Sequence, residues 1–159
     1  MRNAAAHNNY YVSMDASRFD TTIQAGVIKH AFSCLRTWFD LDDEVGFGWN
    51  VGQIFDIIED YFLHTPIVMP DPDGPKLYTG KKHGVPSGSY FTQIVDSVAN
   101  VMMIGSLDRR FKLNVKLSEV FVLGDDMLFF IRKRPNLDAF AQYLSGKYFM
   151  LMNKKKSES

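Results

Sequence analysis

The chain has 159 residues with 18 basic and 18 acidic side chains, so its formal net charge is zero; 46% hydrophobic and 23% charged residues exclude a disordered chain. A complete nucleic-acid-binding protein usually has a basic excess, and this balance argues against one. A single cysteine, Cys34, excludes an internal disulfide and a multi-cysteine zinc site. No apolar run approaches the ~18 residues of a membrane span. We therefore expect a single soluble domain with no membrane partner.

The first third of the chain predicts a strand followed by two helices. Aromatic and β-branched residues over 10–14 are typical of a strand, and this segment runs directly into Asp15. Apolar residues recur at three- and four-residue steps over about 21–39 and again over about 50–63. That spacing predicts two amphipathic helices.

The middle of the chain predicts a hairpin, a loop and a long helix. A Pro- and Gly-rich turn at 70–75 separates short apolar segments at 67–69 and 76–79, which is typical of a hairpin. The segment 84–88 is rich in small residues and precedes a helix predicted over about 90–108.

The last third predicts a tight hairpin, a helix and a short strand. Apolar strands at 119–123 and 127–131 flank the turn Gly124-Asp125-Asp126. Asn136 is a suitable N-cap for a helix over 137–148, and 149–152 is a candidate last strand. The mixture of hairpins and helices predicts an α+β fold with an antiparallel sheet and helices packed on one face.

Acidic residues lie at two predicted strand ends that are far apart in the sequence. Asp15 ends the first strand, and Asp125 and Asp126 occupy the hairpin turn. Two carboxylates ~4 Å apart repel by roughly 4 kcal/mol at an effective dielectric of ~20, so a cluster needs a cation. Hard oxygen ligands favour Mg²⁺ or Mn²⁺ over zinc, and two such ions can serve phosphoryl transfer. Gly-Asp-Asp is also a common turn; its position between apolar strands is what favours a metal site.

The loop before the long helix is a candidate phosphate or ribose site. Small residues at a helix N-terminus leave backbone N–H groups free to contact such a ligand, and Ser87 and Thr92 add hydroxyl groups. Asp96 lies one helical turn beyond Thr92 on the same face. When the loop is considered alone, an ordinary serine N-cap with glycine for backbone room is the better explanation.

Three elements occur in a fixed order: Asp15-x-x-x-x-Asp20, then Ser87-Gly88-x-x-x-Thr92, then Gly-Asp-Asp at 124–126. This series resembles motifs A, B and C in the palm of viral RNA-dependent RNA polymerases. The segment 82–97 is most similar to the partitivirus group of double-stranded RNA viruses. The resemblance covers about 10–156 and implies a palm fold with an RRM- or ferredoxin-like antiparallel core.

The resemblance also implies roles for the residues of these motifs. Asp15 and Asp125 would hold two Mg²⁺ or Mn²⁺ ions, with Asp126 assisting. Asp20 would sense the ribose hydroxyl groups of the incoming nucleotide with the help of Ser87, Gly88 and Thr92. Asp96 fills a position where many positive-strand RNA virus polymerases have Asn, which leaves the hydrogen-bond pattern at the ribose open.

Segment 148–157 resembles motif D, in which a lysine protonates the leaving pyrophosphate. Lys156 is the first candidate and Lys155 the second, although a solvated basic tail is an equal alternative. The basic fingers motif expected before Asp15 and the thumb expected after motif D are missing. The resemblance therefore implies that 1–159 is a partial domain, the palm of a larger polymerase, and that this piece alone is inactive.

The function implied for the parent protein is RNA-directed RNA polymerisation in viral genome replication and transcription. Its partners would be template and product RNA, ribonucleoside triphosphates and, in the virion, capsid protein; its location would be the virion interior or the host cytoplasm. Two alternatives stay open at this point. One is a reverse transcriptase-like polymerase, and the other is a non-catalytic RNA-binding α+β module.

Overall fold

A three-stranded antiparallel sheet forms the centre of the molecule. The computed structural model describes residues 10–17, 19–86 and 88–152. Strand β1 (Tyr10–Asp15) pairs with β7 (Asp126–Ile131), which pairs on its other edge with β6 (Val120–Leu123). The order β1-β7-β6 makes β7 the central strand, so the first strand of the chain lies beside the second strand of the predicted tight hairpin. The predicted antiparallel α+β fold is confirmed.

The register of β1 on β7 follows from the alternation of buried and exposed side chains. Val12 lies opposite Phe129 and Met14 opposite Met127, and all four side chains are buried in the main core. Tyr11, the residue before Val12, faces the other way and is 41% exposed. A shift of one residue would exchange these two faces, so burial of the first set fixes which residues meet at the strand ends.

Among the described residues, five α-helices accompany the sheet: α1 (Phe19–Thr22), α2 (Ala25–Arg36), α3 (Val51–His64), α4 (Thr92–Phe111) and α5 (Leu137–Tyr148). A short 3-10 helix (Leu117–Glu119) precedes β6. Helices α2 and α4 pack against each other, and α4 also contacts β6, β7 and α5. Asn50 caps α3 through a reciprocal capping box with Gln53, and Asn136 caps α5 by accepting a hydrogen bond from the N–H of Ala139 at 3.0 Å. The long helix α4 therefore links the sheet to the other helices.

The single helix predicted over 21–39 is wrong, because the chain forms α1 and α2 with a break between them. Gln24 is extended and forms an isolated bridge with His83, and the N–H of Ala25 donates to the carbonyl of Lys82. The spacing of apolar residues in the predicted helix would place Trp38 in the core, but Trp38 lies beyond the end of α2 and is 66% exposed. A large aromatic side chain such as that of Trp49 is also expected in the core, but Trp49 lies in a peripheral strand and is 44% exposed.

Two small hairpins lie outside the central sheet. The predicted hairpin is present as β4 (Ile67–Met69) and β5 (Lys76–Tyr78), while β2 (Glu44–Gly46) and β3 (Trp49–Asn50) form one that the sequence did not predict. The last strand expected at 149–152 is reduced to a bridge between Met152 and Ala16, with a hydrogen bond from the N–H of Ser17 to the carbonyl of Leu151 at 2.7 Å. The chain thus returns to the end of β1. Among the described residues, no helix is long and apolar enough to cross a membrane.

Phe32 lies at the centre of the aromatic part of the core. Its ring lies 5.2 Å from that of Phe62, 6.3 Å from that of Phe91 and 6.5 Å from that of Phe55, and the residue is fully buried. Phe32→Ala should therefore lower the free energy of unfolding by roughly 3–5 kcal/mol. Chemical denaturation measures this loss, with Phe47→Ala as the matched control because Phe47 is fully exposed. Equal stability of the two variants would contradict the packing described.

Candidate active site

The acidic residues of the two distant segments meet at one end of the sheet. Asp15, the last residue of β1, is the direct partner of Asp126, the first residue of β7. Directly opposed residues in an antiparallel pair have Cα atoms roughly 4.5–5.5 Å apart, and their side chains leave the same face of the sheet. Asp125 immediately precedes Asp126 and is the second residue of the two-residue turn, Gly124-Asp125, that joins β6 to β7. The convergence expected from the sequence is therefore present.

The three carboxylates at this strand end are accessible to a ligand. Asp125 and Asp126 are exposed, and Asp15 is half-buried. In the parts of the chain that the structure describes, no three His, Cys, Asp or Glu side chains form a ready-made metal cage. Magnesium does not require one, because it keeps several waters and binds through one or two carboxylates together with substrate phosphates. The oxygen-only donor set fits a hard divalent cation.

The loop before α4 is fixed to the backbone of α1, which contains Asp20. The N–H of Val85 donates to the carbonyl of Asp20 at 2.7 Å, and the N–H of Gly84 donates to the carbonyl of Ile23 at 2.7 Å. A Cβ atom on Gly84 would meet the carbonyl oxygen of Asp20 at 3.1 Å, and the φ of Gly84 is +91°. Glycine is needed here both for the backbone conformation and for this close approach.

Thr92 begins α4 and stabilises the same loop. Its hydroxyl group donates to the carbonyl of Pro86 at 2.7 Å, and the residue is 9% exposed. Gly88 is exposed in the loop. Two candidates from the sequence, Ser87 and Lys156, lie outside the described residues, as does the alternative Lys155. The structure therefore brings Asp20, Thr92 and the loop together around the start of α4.

Asp96 is a buried carboxyl group beside the acidic end of the sheet. It is 3% exposed, and its Oδ1 has no hydrogen-bond partner among the described residues. Burial raises the pKa of Asp96 to about 7, with further contributions from the negative charges of Asp20 and Asp125. The carboxylates of Asp20 and Asp125 therefore lie near enough to Asp96 to affect its pKa. One region thus holds candidate residues from all three sequence motifs.

The raised pKa makes the stability of the metal-free protein depend on pH. An unfolded Asp96 ionises near its ordinary pKa of 3.8, whereas the folded protein keeps the proton up to about pH 7. The folded state binds the extra proton between these values, so the free energy of unfolding falls as pH rises from about 4 to about 7. Asp96→Asn removes this titration. Between pH 5 and pH 8 the wild type should lose roughly 2–3 kcal/mol more stability than the variant.

Chemical denaturation in EDTA at the two pH values measures this difference. All other titrating groups are shared by the wild type and Asp96→Asn, so their contributions cancel in the comparison. Parallel pH profiles for the two proteins would show that Asp96 is ionised in the folded state.

Two polar residues of α4 at this site were not predicted. The hydroxyl group of Ser97 accepts a hydrogen bond from the N–H of Gly124 at 2.8 Å, and the amide Nδ2 of Asn100 donates to the carbonyl of Gly124 at 2.7 Å. Asn100 is fully buried, among apolar residues of the same helix. Asn100 interrupts an otherwise apolar stretch of sequence at 98–104, which was the available signal, but this signal does not identify the partner.

A cavity of about 340 Å³ lies beside Asp20. Its lining includes Lys81, Gly84 and Pro86 in addition to Asp20. Burial lowers the pKa of Lys81, whose Nζ donates to the carbonyl of Gly84 at 3.2 Å. A larger cavity of about 600 Å³ is lined by Met14, Met152 and the start of α5 and by none of the candidate carboxylates. Neither cavity is lined by Asp15, Asp96, Asp125 or Asp126, so these two cavities do not mark the acidic end of the sheet.

The sequence matches a known protein family along almost its whole length. Residues 1–158 match the family described as viral RNA-dependent RNA polymerase. A curated relative, the RNA-directed RNA polymerase of Cryptosporidium parvum virus 1 (strain KSU-1), is 34% identical over 114 residues. That alignment covers 71% of this chain and 20% of the relative.

Solved structures share the fold. The RNA-dependent RNA polymerase of a human picobirnavirus matches with a TM-score of 0.72 at 18% identity, over 93% of this chain and 26% of that one. Its insertion-loop deletion mutant matches with a TM-score of 0.71 at 17% identity, with the same coverage. The chain therefore spans about a fifth to a quarter of the length of these proteins.

Proposed function

Because the chain belongs to the family of viral RNA-dependent RNA polymerases, we propose that residues 1–159 form the palm of a longer polymerase that copies RNA into RNA. The observation that carries this proposal is the pairing of Asp15 with Asp126 beside the Gly124-Asp125 turn. The limited share of the relatives that the chain spans is consistent with fingers and thumb in other parts of such a protein.

The proposed reaction is the transfer of a ribonucleotide to the 3′-hydroxyl group of an RNA strand. The hydroxyl group releases its proton to solvent as its oxygen forms a bond to the α-phosphorus, the bond from that phosphorus to the bridging oxygen breaks, and pyrophosphate leaves. Two divalent cations, when bound, activate the attacking oxygen and stabilise the leaving group. Asp15 and Asp125 are the proposed ligands, with Asp126 assisting. These carboxylates fit the role because they are at least partly accessible and converge on one strand end.

The residues around the start of α4 are the proposed nucleotide site. The ribose would be contacted, or its pocket formed, by Asp20, Ser87, Gly88, Thr92 and Asp96. The hydrogen bonds that tie the loop to α1 and to Thr92 support a preorganised site, since they fix its backbone before any ligand binds. A neutral Asp96 would be able to donate a hydrogen bond as well as accept one.

Lys156 is the proposed proton donor to the leaving pyrophosphate, with Lys155 as the alternative. The support is positional: Met152, four residues earlier, bridges Ala16, the neighbour of Asp15. We further propose that the parent protein resembles polymerases of partitivirus-like double-stranded RNA viruses. Its partners would be template and product RNA, nucleoside triphosphates and capsid protein, inside the virion or the host cytoplasm.

A primer-extension assay tests the proposed function on the polymerase that contains this chain. An RNA primer on an RNA template should be extended with ribonucleotides when Mg²⁺ is present, and extension should cease in EDTA. Omitting one nucleotide should stop the product at the first template position that requires it, which separates copying from untemplated addition. Preferential use of deoxynucleotides would support a reverse transcriptase-like enzyme instead, and RNA binding without extension would support a binding module.

A further inference from the structure

The turn that contains Asp125 is held by side chains from a distant helix. Both backbone polar groups of Gly124 are hydrogen-bonded to α4, the N–H to the Ser97 hydroxyl and the carbonyl to the Asn100 amide. Ser97 and Asn100 lie 27 and 24 residues before Gly124 in the sequence. Ser97 in turn donates to the carbonyl of Gln93 at 2.7 Å, so its hydroxyl orientation is fixed by its own helix.

These two hydrogen bonds constrain consecutive peptide groups. The N–H of Gly124 belongs to the peptide that follows Leu123, and its carbonyl belongs to the peptide that precedes Asp125. Gly124 is buried and has a φ of +61°, so its backbone is shielded from water and cannot readily exchange these partners for solvent. The peptide plane before Asp125 is therefore set by Asn100, which is itself fully buried.

We propose that Ser97 and Asn100 are positioning residues that fix the Asp125 carboxylate for cation binding. They act through Gly124 and contact neither substrate nor cation. This inference rests on the proposed function for its role in catalysis, although the hydrogen bonds stand on the geometry alone. In this proposal α4 has two roles. Its N-terminal end borders the nucleotide loop, and Ser97 and Asn100, one to two helical turns further along, hold the Gly124-Asp125 turn.

The sharpest test compares Ser97→Val with Ser97→Thr. The two side chains have nearly the same shape, and only threonine keeps a hydroxyl group that accepts from Gly124 and donates to the carbonyl four residues earlier. Asn100→Leu removes the other hydrogen bond at similar volume. In the polymerase, Ser97→Val and Asn100→Leu should raise the Mg²⁺ concentration for half-maximal extension by about tenfold, as is typical when support for a metal ligand is lost. Ser97→Thr should stay within about twofold of wild type.

A merely structural role gives a different result. Loss of folded protein would lower the extension rate by the same factor at every Mg²⁺ concentration and leave the half-maximal concentration unchanged. That outcome for Ser97→Val would overturn the proposal. The Ser97 pair decides the question even when Asn100→Leu does not fold.

Two further readouts do not require polymerisation. Amide hydrogen exchange at Gly124 should be about tenfold faster in Ser97→Val than in Ser97→Thr, measured in EDTA. Mn²⁺ binding followed by electron paramagnetic resonance should weaken in the same variant. An inactive wild type that still shows both differences would contradict the proposed function and keep the positioning role. Equal exchange and equal Mn²⁺ binding would refute the positioning role whatever the activity.

Discussion

Asp125→Asn should reduce ribonucleotide incorporation by the parent polymerase on the order of 10³-fold without altering the fold. The substitution keeps the shape of the side chain and removes one negative charge at the exposed turn between β6 and β7. The backbone of the turn is held by the hydrogen bonds of Gly124 with the side chains of Ser97 and Asn100. Replacing one carboxylate oxygen of Asp125 by an amide nitrogen should therefore not displace the turn. Single-turnover primer extension at saturating nucleotide measures the loss.

Asp42→Asn is the matched control for Asp125→Asn, because Asp42 is an exposed aspartate in a separate loop. It should leave incorporation within about twofold of wild type, as is usual for a surface position. Asp125→Asn should also lower the pKa of Asp96, since the charge of Asp125 is one of the causes that raise it. A variant that shows this pKa change and still incorporates nucleotides at the wild-type rate would refute the assignment of Asp125 as a cation ligand.

The meeting of Asp15 with the acidic turn could be predicted because the family resemblance implied that these carboxylates share cations, while local patterns marked the two strand ends. The alternation through Val12 and Met14 fixes the face of β1, and a two-residue turn fixes where β7 begins. The sequence placed Asp126 in the turn, whereas the structure makes it the first residue of β7. Its side chain therefore leaves the same face as that of Asp15, a detail that decides which carboxylates are direct neighbours.

The parts that could not be predicted are those set by long-range contacts. The helix predicted over 21–39 breaks at Gln24 because that residue bridges His83, and periodicity contains no information about this partner. The same limit applies to Ser97 and Asn100, whose hydrogen bonds reach the acidic turn across more than twenty residues. Sequence periodicity assigns a face to a side chain; it does not assign the group that the side chain will meet.

Surplus negative charge is concentrated at the end of the sheet that holds the proposed cation site. Asp20 and Asp125 both disfavour ionisation of Asp96, although the whole chain has a formal net charge of zero. Such a region is poorly stabilised by the protein alone and is relieved by a cation or by protonation. The buried Asp96 uses protonation, and the accessible carboxylates of Asp15, Asp125 and Asp126 leave room for cations. In the proposed site, the two responses would allow metal binding and a neutral ribose contact within one acidic region.

Asp20→Ala should reduce the preference for ribonucleotides over deoxynucleotides by about 10–100-fold. In the proposed site, Asp20 accepts a hydrogen bond from a ribose hydroxyl group, and a deoxynucleotide leaves that acceptor unpaired. Removing the acceptor abolishes this penalty, so the two nucleotide classes should become more nearly equal substrates. The ratio of kcat/KM values for matched ribo- and deoxynucleotides measures the change, with Lys29→Ala on the exposed surface of α2 as a control.

The same variant has a readout that does not depend on nucleotides. Asp20 is the largest charged contributor to the raised pKa of Asp96, so Asp20→Ala should lower that pKa and flatten the pH dependence of stability in EDTA. A lowered Asp96 pKa together with unchanged nucleotide preference would show that Asp20 is a neighbour of Asp96 without contacting the ribose. A changed preference together with an unchanged pKa would place Asp20 at the nucleotide and separate it from Asp96. If both the Asp96 pKa and the nucleotide preference change, then Asp20 acts on the charge of Asp96 and on the selection of the sugar from the same acidic cluster.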